Sequence, residues 1–232
     1  MGYQTARRPV RRFGRTAARY AVCAALVLTA VFTYVCVCVM PQEETGRGMD
    51  VGAVEMSLPD EEGYRDKIAC LFSGDKWSEL YLDEKLDALQ LICDWENVKV
   101  LGCSPVQVRL EEMSRENLGY YSHSDGAVYL NCAMVAGQSW QRTLDTLLHE
   151  CRHCWQRDMI SLLIQVEEDG SGLERLYIFN EARDFRDGWN NYTSGLEDYD
   201  VYYDQFIERD SRQWASSRML EYYLPAAGEG AQ

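Results

Sequence analysis

The sequence predicts an α+β domain behind one apolar segment near the N-terminus, and three patterns support this prediction. Residues 20–40 contain no charged side chain. Residues 76–97 repeat leucine and isoleucine at helical spacing. Residues 106–111 alternate apolar and polar side chains, as a half-buried strand does. At 232 residues the chain has room for one domain and an N-terminal appendage.

The N-terminal region has the composition of a membrane anchor. Residues 1–19 contain six arginines and no acidic residue. The uncharged residues 20–40 are long enough, at about 1.5 Å per helical residue, to cross about 30 Å of hydrocarbon. Arginines before this run and Glu43 and Glu44 after it favour a cytoplasmic N-terminus. We therefore expect a single-pass membrane protein with a basic cytoplasmic tail at 1–19, a transmembrane helix at 20–40 and its body on the extracytoplasmic side.

Two other interpretations of this segment stay open. A cleaved signal peptide has a shorter apolar core and an Ala-x-Ala-like cleavage site, and residues 37–41 offer no such site. A misassigned start codon would mean that the segment is not made at all. The sequence does not exclude either alternative.

The body of the chain is strongly acidic. The net charge is −14 overall, and without the six N-terminal arginines, 17 basic and 37 acidic residues leave −20 on residues 41–232. Such a surface repels nucleic acid and anionic lipid. We therefore expect no nucleic-acid partner, and the simplest role of the charge is solubility.

The predicted elements follow one another without an internal repeat. Residues 41–62 are polar and contain glycine and proline, as a linker does, and a compact domain is expected at 63–224. Glycine-rich residues 225–232 are predicted to be a disordered tail. Within the domain the periodicity predicts helices at 61–72, 76–97, 140–164, 173–189 and 200–223, and strands at 106–111, 118–121 and 127–131.

The predicted helix at 140–164 contains the pattern His-Glu-x-x-His at residues 149–153, with two of the three histidines of the chain. At about 100° per residue, His149 and His153 lie roughly 40° apart on a helix and can bind one zinc ion from one face. Glu150 lies beside them, where it can accept a proton from water. The short pattern also occurs by chance in helices, where the histidines are solvated.

A zinc site of this kind needs a third protein ligand and keeps a fourth position open. The predicted helix at 200–223 carries Glu208 on a partly apolar stripe. Spacing alone does not choose Glu208 over Glu181 or Glu197. The predicted strands before the motif provide an edge on which an extended peptide can lie.

Residues 64–222 resemble a small bacterial zinc metallopeptidase of the gluzincin type, a zincin-like fold. The resemblance rests on Gly-Tyr-Tyr…Val-Tyr-Leu-Asn in the strands, on His-Glu-x-Arg-His-x-x-Gln, and on a later Gln-x-x-Glu-x-Asp-x-x-x-x-Ala. It implies a motif helix, a glutamate helix and a small sheet, with His149, His153 and Glu208 as Zn²⁺ ligands and Glu150 as general base. It also implies a peptide or protein substrate. Ser211 departs from the expected alanine.

Five other residues are candidates for supporting roles. Asp210 can hydrogen-bond the second nitrogen of a ligand histidine, or it is simply a solvated acid. His123 can contact substrate or an oxyanion, although a histidine in a turn is more often merely exposed. Tyr203, with Tyr202, can donate a hydrogen bond to a tetrahedral intermediate. Arg152 points away from the ligand pair and is expected to form a salt bridge with the acidic second helix.

The cysteines leave the redox chemistry open. The body contains six, and an even number outside a membrane permits disulfides, but their spacing reveals no pairing and all can equally be buried thiols. Cys151 and Cys154 also match Cys-x-x-Cys, the pattern of a redox pair or a structural zinc site. Their position in the middle of a helix and the lack of a second such motif argue against that interpretation.

Three functions agree with these patterns. The first is zinc-dependent hydrolysis of peptide bonds next to the membrane. The second is a membrane-anchored binding or regulatory module with a structural zinc ion. The third is a zinc amidase that acts on a non-protein amide. The sequence indicates neither the substrate nor the oligomeric state.

Overall fold

A computed structural model describes residues 58–72, 75–137 and 139–228. The chain divides between Glu55 and Met56, and all of these residues belong to the unit Met56–Gln232. The predicted basic tail 1–19 and transmembrane helix 20–40 lie outside the described residues, as does most of the predicted linker. Within the described ranges, no helix is both long and apolar enough to span a bilayer.

The described unit has the predicted α+β class, with long helices around one three-stranded sheet. Its elements are α1 (Glu61–Phe72), α2 (Lys76–Glu79), α3 (Leu82–Asp94), a π-helical segment (Trp95–Leu101), β1 (Gln107–Glu111), β2 (Gly119–Ser122), β3 (Ala127–Asn131), α4 (Cys132–Gly137), α5 (Trp140–Asp169), a 3-10 turn (Leu173–Arg175), α6 (Phe179–Asn190), α7 (Tyr199–Asp204) and α8 (Phe206–Gly228). We call α5 the motif helix and α8 the glutamate helix.

The sheet lies against the motif helix, with β3 in the centre. β3 pairs in parallel with β1 and antiparallel with β2. β2 approaches both neighbours closely at Gly119, where a Cβ would lie 2.8 Å from the carbonyl oxygen of Tyr129 and 3.1 Å from Cγ2 of Thr146. Only glycine therefore lets β2 pack against β3 and the motif helix at this point.

The motif helix is the centre of the fold because its apolar side is buried along most of its length. Leu144, Leu147 and Leu148 are fully enclosed between the sheet and the neighbouring helices. The helix is longer than its predicted end at residue 164. It continues to Asp169 and ends at Gly170, whose φ of 62° gives the left-handed C-terminal cap that glycine favours.

The helices after the motif differ from the sequence prediction. The helix predicted at 173–189 is a 3-10 turn followed by α6. The helix predicted at 200–223 is broken at Gln205, which has an extended ψ of 140°. The side chain of Gln205 accepts a hydrogen bond from the amide of Thr193 and donates one to its carbonyl. This contact with a distant loop replaces the helical hydrogen bonds at the break, and helical periodicity could not predict it.

The first helix matches its predicted range 61–72, whereas the glutamate helix extends further than expected. α1 begins at Glu61, inside the predicted linker 41–62, because the side chain of Asp60 accepts a hydrogen bond from the amide of Gly63 at 2.8 Å. The glutamate helix continues to Gly228, which lies within the predicted tail 225–232. Two alanines at 226–227, the best helix formers, favour this extension.

A buried polar cluster fixes the glutamate helix to the π-helical segment. The fully buried carboxylate of Glu96 accepts hydrogen bonds from Arg218 at 2.7 and 2.9 Å and from the hydroxyl of Tyr222 at 2.6 Å. The hydroxyl of Tyr64 in α1 lies 2.7 Å from that of Tyr222. Because every member has a partner, the cluster holds three segments in one arrangement.

Candidate metal centre

The two histidines of the motif lie one helical turn apart and face each other. His149 Nε2 lies 3.0 Å from His153 Nε2, and the ring planes are nearly perpendicular. His153 is buried, with 4% of its surface exposed, while the side chain of His149 keeps 15% of its surface exposed. The helix thus presents two nitrogen donors to one point, with an opening on the His149 side.

The glutamate helix brings a carboxylate to the same point. Glu208 Oε2 lies 3.1 Å from His149 Nε2, and Oε1 lies 3.4 Å from His153 Nε2. The three side chains offer ligand atoms that all lie within 4.8 Å of one another. Ligands about 2.05 Å from a tetrahedral ion are about 3.3 Å apart, which matches these separations. His149, His153 and Glu208 can therefore hold one metal ion.

The charges of the site favour a metal ligand set. Burial would raise the pKa of Glu208, but hydrogen bonds from His149 and His153 outweigh it and lower the pKa well below its usual range. Burial would lower the pKa of His153, but hydrogen bonding to Glu208 and the charges of Glu150 and Glu208 raise it. The glutamate is therefore ionised, as a ligand must be, and cations are strongly attracted to this pocket.

Gln156 orients His153. Its Nε2 donates to the carbonyl oxygen of Ile207 at 3.0 Å and to Asp210 at 2.8 Å, so its Oε1 is the atom that faces His153 Nδ1 at 3.0 Å. Nδ1 therefore carries a proton that it donates to Gln156, and Nε2 is directed to the metal position. Ser211, which replaces the expected alanine, lies 3.2 Å from the same Nδ1.

Asp210 does not contact a ligand histidine directly. It accepts two hydrogen bonds from Arg152, at 2.8 and 3.0 Å, and one from Gln156. The predicted salt bridge of Arg152 to the second helix is thereby confirmed. Asp210 acts on His153 through Gln156, so the network joins the motif helix to the glutamate helix beside the ligands.

Glu150 lies on the inner side of the motif helix and is buried, with 6% of its surface exposed. Its negative charge raises the pKa of His153 and, as a smaller contribution, those of Tyr192 and Tyr202. Glu150 therefore acts electrostatically on His153 of the ligand group and on the two nearby tyrosines. Asp145, one turn before His149, also interacts with that histidine electrostatically.

Tyr192 contacts the ligand group and Tyr202 lies beside it, whereas the predicted Tyr203 does not contact it. Tyr203 is 48% exposed and lies 3.8 Å below the guanidinium of Arg212. The hydroxyl of Tyr192 instead donates to Glu208 Oε1 at 3.3 Å, and the ring of Tyr202 meets the ring of Tyr192 edge-on, with centroids 6.3 Å apart. Burial, followed by the charge of Glu208, raises the pKa of both, so they stay protonated donors.

No sequence pattern indicated Tyr192, because it lies in a loop without periodicity among fifteen tyrosines. Trp189 lies in the last turn of α6, and no motif distinguished it from the other tryptophans. Its ring lies 5.1 Å from the ring of His153 and stacks on Tyr192 at 5.2 Å, so it forms an apolar wall of the pocket.

His123 lies in the turn between β2 and β3, away from the ligand group. Its ring meets the edge of Tyr121 at 6.3 Å, and it interacts electrostatically with Asp158. Asp158 is nine residues beyond His149, about 180° around the motif helix. The structure therefore gives His123 no contact with the candidate metal centre.

No protein-family model, curated protein or solved structure matches the chain at a significant level. Function is therefore inferred from the geometry of the site.

Proposed function

We propose that the protein is a zinc-dependent metallopeptidase with a zincin-like domain, in which His149, His153 and Glu208 bind Zn²⁺. The observation that carries this proposal is the convergence of two imidazoles and one carboxylate at tetrahedral spacing, next to a buried Glu150. Imidazole and carboxylate donors suit zinc among the common divalent ions.

Zinc, Glu150 and the two tyrosines have different roles in the proposed reaction. Bound zinc supplies a Lewis acid that polarises a carbonyl oxygen and makes a water molecule more acidic. Glu150 accepts the proton of that water and delivers it to the leaving amine. The protonated hydroxyls of Tyr192 and Tyr202 donate hydrogen bonds to the negative oxygen that develops on the substrate.

Two features favour an enzyme over a binding module with structural zinc. Structural zinc sites have four protein ligands, whereas in the described part of the chain the group contains three. A structural site also has no use for a buried glutamate adjacent to its ligands. The exposed side of His149 leaves room for a substrate.

The charge of the body and the N-terminal apolar segment support a proposal for the substrate class and the location. The −20 charge of residues 41–232 argues against nucleic acid, and we propose a peptide or protein substrate. If residues 20–40 anchor the protein with its N-terminus in the cytoplasm, cleavage takes place on the extracytoplasmic side. A non-protein amide would be hydrolysed by the same groups, so the substrate test must include one.

The test compares the full-length wild type with Glu150→Gln on a peptide library and on cell-wall fragments that contain amide bonds. We expect the variant to keep its zinc and to lose peptide cleavage by about 10²–10⁴-fold, because a general base contributes that much. Glu167→Gln, at the far end of the same helix, is the control and stays active. A Glu150→Gln variant with normal activity would contradict the proposal, and release of amines from the wall fragments alone would indicate the amidase.

A further inference from the structure

Four of the six cysteines in the body form two pairs behind the motif helix. Cys151 Sγ lies 3.7 Å from Cys93 Sγ of α3, and both side chains are completely enclosed in the core. Cys151 is two residues beyond His149, about 200° around the helix. This pair therefore lies on the side of the motif helix that faces away from the candidate metal centre.

The second pair repeats this arrangement one turn further along. Cys103, which follows the π-helical segment, packs against the core cluster that contains Cys154, and the neighbouring Cys154 thiol, together with burial, raises the pKa of Cys103. Cys154 is buried in the same core, and Cys103 packs against it. Two successive turns of the motif helix thus each place a cysteine against a cysteine from one preceding segment.

The four cysteines do not form a single metal-binding site. Among the residues that the structure describes, the group able to hold a metal ion consists of His149, His153 and Glu208. The four cysteines therefore stand as two separate pairs rather than as one four-sulfur cage. The spacing of the cysteines in the sequence leaves their pairing open. The packing of distant segments places Cys93 next to Cys151 and Cys103 next to Cys154.

We propose that Cys93–Cys151 and Cys103–Cys154 form disulfide bonds that fix the motif helix to the segment preceding the sheet. A disulfide has an S–S length of about 2.05 Å, so the sulfurs of the first pair have to approach by about 1.7 Å when the bond forms. This inference does not depend on the proposed peptidase activity.

Each bond forms by thiol–disulfide exchange with an external disulfide such as oxidised glutathione. One cysteine thiolate attacks that disulfide and releases a thiol, and the second cysteine then displaces the other half. The two cysteines lose two protons and two electrons in total, and the external disulfide is reduced to two thiols. Because Cys93, Cys151 and Cys154 are buried in the folded core, the exchange takes place before the core closes.

The consequence is a scaffold that holds the helix of the metal ligands from behind. Each bond closes a loop of about 50–60 residues between α3 or the π-helical segment and the motif helix, which restricts the unfolded chain. The Cys151–Cys154 redox pair suggested by Cys-x-x-Cys is excluded by this pairing, because each of the two sulfurs has a different partner.

The test is peptide mapping of the full-length protein produced in bacterial cytoplasm from which the thiol reductases have been removed. Cells are broken in an alkylating agent, and the protein is digested with trypsin without reductant. Cleavage after lysine and arginine puts the four cysteines on separate peptides, at 86–99, 100–109, 143–152 and 153–157. We expect 86–99 linked to 143–152 and 100–109 linked to 153–157, with a mass about 2 Da below the sum of the two peptides for each link.

Three samples serve as controls. The same protein from a reducing cytoplasm gives four alkylated peptides. Protein oxidised in guanidinium chloride gives mixed pairs, which shows that folding selects the partners. The double variant Cys93→Ser with Cys151→Ser keeps the link between 100–109 and 153–157, and Cys132→Ser keeps both links. Alkylation of the four paired cysteines in the oxidised, folded wild type, or a link between 143–152 and 153–157, would overturn the proposal.

Discussion

The hydrogen bonds between Asp210, Arg152 and Gln156 predict that Asp210→Asn lowers both the stability of the fold and its affinity for metal. The substitution keeps the shape of the side chain but removes its charge, and one of its oxygens becomes an NH₂ group that faces hydrogen-bond donors. Arg152 then loses its carboxylate, and Gln156 loses an acceptor that holds it against His153. Both the stability of the fold and the affinity for metal should therefore fall.

The expected loss in the free energy of unfolding depends on how deeply the Arg152–Asp210 ion pair is buried. The side chains of Arg152 and Asp210 are each 16% exposed, between an exposed pair and a fully buried one. Removal of one partner costs about 3–5 kcal/mol when the pair is buried, and exposed pairs contribute about 0–1 kcal/mol. We expect the free energy of unfolding to fall by about 2 kcal/mol. Loss of a group that orients a metal ligand weakens metal binding about 10–100-fold.

The assay measures unfolding in urea for the chelated protein and zinc affinity by competition with a fluorescent chelator. Glu167→Gln is a matched control on the same helix, because its salt bridge with Arg186 has similar length, 2.7 Å, but is 35% and 31% exposed. That control should lose about 0.5 kcal/mol and no zinc affinity. An Asp210→Asn variant that behaves like Glu167→Gln in both measurements would refute the reasoning.

Three further predictions concern other parts of the fold. Glu96→Gln should lower the free energy of unfolding by about 3 kcal/mol without loss of zinc, because a fully buried carboxylate loses its charge beside a guanidinium; urea unfolding and elemental analysis test this. Gly188→Ala should cost about 1–3 kcal/mol, because the new Cβ would lie 2.8 Å from Cγ2 of Ile207, a β-branched side chain with little freedom to move; thermal unfolding measures it. In chelated protein, the pair Glu208–His153 should stabilise the fold most between about pH 4.5 and 6.5. The lowered pKa of Glu208 makes its contribution disappear as the pH falls below this window, and the raised pKa of His153 makes its contribution disappear as the pH rises above it.

Each of these predictions has an outcome that would contradict it. Zinc loss in Glu96→Gln would mean that the buried cluster controls the metal site. A stabilised Gly188→Ala would mean that Ile207 can move aside and that helix propensity dominates. For the pH profile, Glu208→Gln is the control, and an identical profile in that variant would show that other groups produce the dependence.

The local sequence pattern was sufficient to predict the two candidate ligands on the motif helix. His149 and His153 are separated by one turn, so the helix alone determines that they converge. Glu208 comes from a helix distant in the sequence, and only the resemblance to gluzincins favoured it over Glu181 and Glu197. The structure now brings Glu208 to both histidines through packing of the two helices.

The features that the sequence did not predict depend on contacts between distant segments. The break at Gln205 exists because its side chain pairs with the backbone of Thr193. Tyr192 reaches Glu208 from a loop that has no periodicity. The partners of Cys151 and Cys154 are determined by how α3 and its π-helical extension lie on the motif helix. No local propensity contains this information.

The most direct test of the central claim is the zinc content of the purified full-length protein, measured by elemental analysis beside Glu208→Ala and Glu197→Ala. A site with three protein ligands predicts about one zinc per chain in the wild type and in Glu197→Ala, and much less in Glu208→Ala. Folded wild-type protein without zinc would contradict the metal site itself. Zinc that remains at one per chain in Glu208→Ala would contradict the choice of the third ligand.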